Sequence, residues 1–331
     1  MERQLSSTLD TPVVEEQTVA DVLMTKPTRR RIRRFRPLRP RGMQLLFVLP
    51  VVIWIVLVLE GPFIYAVDRS LRYFSLADPR QSGQWAGLAQ YEKLMHDPQF
   101  FDSLLTTLTF AVPAVLIEIV AGAAIALLFF QILKDRPWLS RIALTLFLIP
   151  LMASEPVTAL TWKFLLQGDF GVLTYLLAKT GVSTDTSFLS DPQLVIPSLI
   201  VVDVWQWVPF VTLIIYAGLI ALPREPIEAA EVDGASYWQR IRHVLLPPLL
   251  PLFSVVLLFR SIDAFNVMGK VQILTGGGPG QTSEVLSLYA YRQGFEFLDQ
   301  AYASAIVMVM FGLVFIAVDI WFKFVYGRVA K

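Results

Sequence analysis

Apolar residues run in six long stretches along this chain, at about 43–67, 104–133, 142–164, 194–222, 249–271 and 301–325. Crossing the hydrocarbon core of a bilayer takes about 20 mostly apolar residues in a helix. Each stretch therefore predicts a membrane-spanning helix, and together they predict an all-α, multi-pass membrane protein. The second and fourth stretches are long enough to tilt or to extend past the bilayer. Pro113, Pro150, Pro156 and Pro209 lie inside spans or near their ends and predict kinks, which membrane helices tolerate better than soluble ones. Between the fourth and fifth stretches the pattern changes. Residues 228–251, EAAEVDGASYWQRIRHVLLPPLLP, are charged at the start and contain a central glycine, far more than a plain connection needs.

Composition agrees with the pattern. Of 331 residues 55% are hydrophobic and 17% charged, where soluble domains run at roughly 45–50% apolar. The chain has no cysteine, which excludes disulfides and thiolate metal sites, and only two histidines, His96 and His243, far apart. Net charge is +1, so the overall balance gives no reason to expect a nucleic-acid partner. Its distribution is more telling. Residues 26–41 hold nine Lys/Arg and no acid, immediately before the first span. Such a block could grip nucleic acid or anionic lipid, but its position and charge suffice for a topology anchor that keeps the N-terminus cytoplasmic. Lys134, Arg136 and Arg141 in the second connection, Arg240 and Arg242 in the charged unit, and Lys323, Arg328 and Lys331 in the tail fall on that same side if six spans cross. Residues 1–42 then form a cytoplasmic arm and 43–331 the membrane domain. The first apolar stretch starts too late and is too long for a cleaved signal peptide.

The unit at 223–247 reads as two short helices. Pro223 and Pro226 end the fourth span and open a helix that carries Glu225 and Glu228 near its positive end. Gly234 stops it. Ser236 and Gln239 have capping-box spacing and start a second helix, expected to run through Arg242 and to end at Pro247–Pro248. Two such helices have no core of their own. They rest on lipid as an amphipathic pair or dock into another protein, and the acidic first helix favours docking.

Glu228, Ala229, Ala230, Asp233, Gly234, Ala235, Val244, Leu246 and Pro247 resemble the EAA motif of ATP-binding-cassette importer permeases. VQILTGGGPGQTSEVLSLYAYRQGF, 271–295, resembles the segment after the following span in carbohydrate-uptake permeases of the maltose and glycerol-3-phosphate type. WAGLAQYEKLMHDPQFFDSLLTTLTFA, 85–111, resembles their outer segment leading into the transport domain. The resemblance covers about 43–326. It implies the type I importer permease fold, both termini cytoplasmic, in a bacterial inner membrane. It also implies that Glu228, Ala229, Ala230, Asp233, Gly234 and Ala235 form a coupling helix that sits in a groove of a nucleotide-binding subunit. The implied partners are a second homologous permease, two copies of the cytoplasmic ATPase, an extracytoplasmic solute-binding protein, a sugar-type solute and the lipid bilayer. This chain is then no enzyme and binds no cofactor; ATP and Mg belong to the ATPase. The run Gly276, Gly277, Gly278, Gly280 invites a phosphate-loop reading, but it lacks the Gly-Lys-Ser/Thr ending and a preceding strand, and reads as a turn.

Two other functions compete: a stand-alone ion-coupled secondary transporter, and a membrane-embedded enzyme. The first predicts internal repeats, and no convincing repeat is present; the second predicts a nucleophile–base pair or metal cluster, and none stands out. For the solute path, Asp203, Gln206, Trp207 and Phe210 share one face of the fourth span, and Arg260, Asp263 and Val267 one face of the fifth. The resemblance places sugar contacts at Gln206, Trp207, Phe210, Arg260, Asp263, Ala264 and Val267. Ala264 and Val267 depart from the family's amide residues. Arg260 either pairs with Asp263 three residues on or meets an anionic group on the solute. Glu118 and Glu155 are further polar points within spans, suited to a cavity or to packing.

Overall fold

A computed structural model describes residues 41–76, 82–133, 136–168, 171–179 and 188–329. Most of the arm expected over 1–42, including the basic block before Arg41, lies outside them, as do Lys134 and Lys331. The described residues fall into two compact units, divided between Leu57 and Val58.

The first unit holds helix α1, Arg41–Ile55, which contains Pro50 and exposes its apolar residues from Val48 onward. In the second unit α2 is Gly61–Ser70, α3 Ala89–Met95 and α4 Pro98–Leu133. Then come α5 Pro137–Phe147, α6 Ile149–Met152, α7 Glu155–Leu166 and α8 Val172–Lys179. The long α9, Val195–Ala221, leads to α10 Glu225–Val232 and α11 Tyr237–Arg240. A π-turn at Ile241–Leu245 joins α11 to α12, Leu246–Phe265, and α13 Met268–Leu274, α14 Leu286–Tyr291 and α15 Gln300–Val329 complete the chain. Among the described residues the only β-pairing is an isolated bridge between Arg72 and Trp85.

Among the described residues five helices are long and apolar enough to cross a membrane: Val48–Ser70, Pro98–Ile132, Val195–Ala221, Tyr237–Phe265 and Gln300–Lys323. The third predicted span, 142–164, is not one helix. It is divided into α5, α6 and α7, with Ala153 and Ser154 extended between the last two. Pro150 and Pro156 explain the division, because each withholds an N–H and biases the preceding residue away from the helical region. Pro113 and Pro209, by contrast, sit within continuous helices. The fifth predicted span differs at both ends. Its helix begins at Tyr237 and passes straight through Pro247 and Pro248, and it stops at Phe265, leaving the last apolar residues to α13. The π-turn at Ile241–Leu245 shifts the hydrogen-bond register just before the two prolines, so their missing N–H groups fall where the ladder is already interrupted.

The centre of the second unit is the crossing of α4 and α9. A Cβ on Gly122 would stand 2.6 Å from Cβ of Val211, and the Thr212 hydroxyl donates to the Gly122 carbonyl at 3.2 Å. Small residues bring membrane helices this close because dispersion and hydrogen bonding, not the hydrophobic effect, drive their association. An apolar cluster around Phe110, Val115, Leu199, Val202, Val271 and Leu288 fills one end of the bundle, and a second around Val211, Ile215, Leu219, Ile241 and Leu249 the other. The glycine run is a turn: Gly276, Gly277 and Gly280 have positive φ and follow helix α13, not a strand. Beside it Arg292 pairs with the buried Glu284, which also accepts from Gln99 at 2.6 Å. The hydroxyls of Tyr289 and Tyr302 both donate to Asp97. Burial, and then the Asp97 carboxylate, hold the Tyr289 hydroxyl above its ordinary range.

Candidate functional site

Two constellations carry chemistry. The first is the charged unit between α9 and α12. Pro226 lies in the first turn of α10, and Glu225 and Glu228 occupy that turn, as the helix dipole favours. Gly234 then takes φ +74°, a left-handed conformation that ordinary residues adopt only at a cost. The capping box is present in full. The Gln239 backbone N–H donates to Ser236 Oγ at 3.4 Å, and the Ser236 N–H donates to Gln239 Oε1 at 2.7 Å. Arg240 pairs with Glu231, tying α11 back to α10. Glu228, Ala229, Asp233 and Gly234 are exposed, and Ala230 and Ala235 are partly so. Val232 and Trp238 are 88% and 74% exposed. Behind the unit is a cavity of about 320 Å³, bordered by Phe130, Arg224, Glu228, Glu231 and Arg240. The expected pair of helices and their glycine junction are present; the expected stop at Pro247–Pro248 is not.

The second constellation is a cluster of charges buried between α4, α9, α12 and α13. Arg260 is 0% exposed. Its Nε donates to Glu118 Oε2 at 2.6 Å, and its Nη2 to Glu118 Oε1 at 2.9 Å and Asp203 Oδ2 at 2.7 Å. Its Nη1 donates to Asp263. The planar guanidinium matches Glu118 through two parallel bonds, the strong geometry for such a pair. The other oxygen of Asp203 accepts from Lys270, itself 3% exposed. One carboxylate of α9 therefore joins α12 to α13 across the break at Asn266–Val267. The Lys270 backbone N–H donates to Glu155 at 3.2 Å, and Lys163 of α7 donates to the Ile273 carbonyl at 2.8 Å, which fasten α13 further.

An aromatic face adjoins this cluster. Arg260 Cζ lies 4.4 Å from the centre of the Trp207 ring, and Lys270 Nζ 5.8 Å, both within cation–π reach. Phe210 meets Trp207 edge-on with centroids 5.7 Å apart, and Phe259 lies 6.5 Å beyond Phe210. Gln206 donates to the Ala153 carbonyl at 3.1 Å. Its Oε1 and the indole Nε1 of Trp207 are buried with no partner among the described residues.

Of the expected path residues, then, Gln206, Trp207, Phe210, Arg260 and Asp263 come together. Ala264 and Val267 do not present themselves to open space: they are 1% and 4% exposed and belong to the apolar cluster. Arg260 pairs with Asp263, and equally with Glu118 and Asp203, so it is not extended toward a cavity. Glu118 is 0% exposed and serves this cluster. Sequence reasoning passed over Lys270 and the bridging role of Asp203; the available signal was their ionisable character within apolar stretches.

Residues 103–331 match the family model described as binding-protein-dependent transport system inner membrane component. The chain is 36% identical over 278 residues to a probable ABC transporter permease protein, y4oQ, of Sinorhizobium fredii, covering 83% of this chain and 88% of that one. It is 32% identical over 290 residues to the trehalose/maltose transport system permease protein MalF of Thermococcus litoralis, covering 86% and 92%. In fold it is similar to a chain of a bacterial ABC transporter involved in the import of the acidic polysaccharide alginate, with TM-score 0.74, 23% identity, and 87% and 96% of the two chains covered. These matches set aside the stand-alone ion-coupled transporter. With five helices among the described residues long and apolar enough to span a membrane, an exposed glycine-jointed helix pair and a family match over more than half its length, this chain belongs to the binding-protein-dependent transport system inner membrane components.

Proposed function

We propose that this chain is one of two permease subunits in an ATP-driven importer for a sugar or sugar derivative. The observation that carries this reading is the unit 225–240, in which Glu228, Ala229, Asp233 and Gly234 are exposed and Val232 is 88% exposed. Glu228, Ala229, Ala230, Asp233, Gly234 and Ala235 dock into a cytoplasmic ATPase, of which two copies serve the permease pair. ATP and Mg bind there, and this chain performs no covalent chemistry. An extracytoplasmic binding protein delivers the solute. Closure of the ATPase pair draws the coupling units together and opens the path outward; hydrolysis resets it. Trp207, Phe210 and Asp263, which keep exposed surface, line the path, and Gln206 is buried beside them. An aromatic ring stacks on the apolar face of a sugar while amides and carboxylates bond its hydroxyls. The permeases of trehalose and maltose among the relatives support the sugar class.

The test is reconstitution of the chain with its partner permease, ATPase and binding protein in proteoliposomes. Glu228→Lys reverses a charge on the docking face and should abolish ATPase stimulation by loaded binding protein while the protein still reaches the membrane. Full stimulation in that variant would remove the docking role of α10.

A further inference from the structure

Where α5 passes the C-terminal end of α9 there is a cavity of about 350 Å³. It is lined by Arg141 and Leu144 of α5, by Tyr216 and Ile220 of α9, and by Arg224, the residue that precedes α10. That volume is within the range of small-molecule sites, roughly 300–1,000 Å³. Most of the wall is apolar, and no acid lines it among the described residues. Both arginines are exposed, and neither has an ion-pair partner among the described residues. Arg240 and Arg260, by contrast, are each matched to carboxylates. Two unmatched cations thus border one apolar hollow.

The wall between them is already fixed. The hydroxyls of Ser140 and Tyr216 share a hydrogen bond of 2.6 Å, and the Tyr216 ring meets Phe129 edge-on with centroids 6.4 Å apart. A site whose walls are bonded to each other binds without first having to be assembled. Its surroundings belong to the membrane. Ile220, on the wall, is 60% exposed, and Trp138 and Ile142, on either side of Arg141 in sequence, are 64% and 50% exposed. Tryptophan near the end of a spanning segment commonly sits at headgroup level. Basic pockets between spanning helices on the cytoplasmic side take anionic headgroups. A guanidinium fork matches two oxygens of a phosphate. A soluble anion would satisfy the arginines but leave the apolar wall uncovered; a phospholipid covers both.

We propose that this cavity binds one anionic phospholipid of the cytoplasmic leaflet, with its phosphate between Arg141 and Arg224 and an acyl chain laid past Ile220. The bound lipid ties α5 to the root of the docking unit at α10. The choice of leaflet rests on the six-crossing orientation; the site itself does not depend on the transport reading.

The purified full-length chain in detergent is titrated with dioleoyl phosphatidylglycerol, with dioleoyl phosphatidylcholine and with inorganic phosphate. Binding is read by native mass spectrometry and by the rise in unfolding midpoint that a ligand of the folded state produces. One phosphatidylglycerol should be retained where phosphatidylcholine is not. Arg141→Gln and Arg224→Gln should each weaken it about fivefold, the worth of one basic residue beside anionic lipid. Arg141→Lys keeps the charge and should retain most of the affinity. Arg136→Gln alters an exposed arginine of the same connection that does not line the cavity, and should change nothing. Ile220→Trp narrows the wall with both charges intact and should weaken the lipid. Unchanged affinity in both glutamine variants, or an equal loss in Arg136→Gln, would overturn the proposal, the latter showing attraction to a diffuse basic surface. Inorganic phosphate that displaces phosphatidylglycerol and still binds Ile220→Trp fully would make the ligand a soluble anion and overturn the lipid assignment. Release of the lipid when the ATPase is added would give the two arginines to that partner instead.

Discussion

Arg260 and Asp263 stand three residues apart, so their pairing is legible in the sequence; the remainder of the cluster is not. Glu118 is 142 residues from Arg260, and Lys270 is 67 from Asp203. No local spacing reveals contacts made only when α4, α9, α12 and α13 pack. Lys270 was further concealed by its position near the end of an apolar stretch, where a long side chain commonly reaches for the interface. Burial settles the energetics. An ion pair kept from water gains little over well-packed apolar residues, but removal of one member leaves its partners uncompensated and costs about 3–5 kcal/mol. Glu118→Ala should therefore destabilise the detergent-purified protein by about that amount in thermal unfolding. Asp263→Ala, removing a half-exposed acid, should cost no more than about 1 kcal/mol. Equal losses for the two variants would show that the cluster is not held as described.

At the scale of elements, the charged unit was legible because its signals are local. A glycine at a left-handed position, a Ser/Gln capping box and a proline in a first turn each act within four residues, and each stands where expected. The helix breaks were less legible. A proline announces a disturbance but not its size: Pro150 and Pro156 divide a span, while Pro113 and Pro209 do not. What differs is packing, since α4 and α9 are held together along their length by close contacts such as Gly122 against Val211. Gly234 offers an element-scale test. Among the described residues nothing lies within 4 Å of a Cβ added there, so substitution meets no clash with them. The penalty comes from φ +74°, about 1–2 kcal/mol for most residues and less for asparagine. Gly234→Leu should abolish solute-stimulated ATPase activity at normal membrane levels, and Gly234→Asn should retain a substantial part of it. If leucine and asparagine variants were equally active, the junction would not depend on its left-handed backbone.

For the whole molecule the number of crossings turns on the broken third span. Among the described residues five helices are long enough by themselves. The predicted third span is supplied by α5, 11 residues, and α7, 12 residues. At 1.5 Å per residue these reach about 16 and 18 Å, each short of a hydrocarbon core of about 30 Å. Placed end to end they suffice. A break within the membrane is tolerable where the freed backbone groups are satisfied by protein, and Gln206 donates to the carbonyl of Ala153 at this break. We therefore expect the α5–α7 segment to cross as a pair of half-helices, giving six crossings and both termini on one side. By the positive-inside rule the nine basic residues of 26–41 predict that this side is the cytoplasm. Reporter fusions active only outside the cytoplasm should then be silent at Lys331 and active at Gly280. A fusion between α4 and α5, near Arg136, should be silent, and one between α7 and α9, near Gln193, active. The pair flanking the broken segment isolates it from the rest of the topology. If Arg136 and Gln193 reported the same side, α5–α7 would be a re-entrant segment, the crossings would number five, and Lys331 would lie opposite the basic arm.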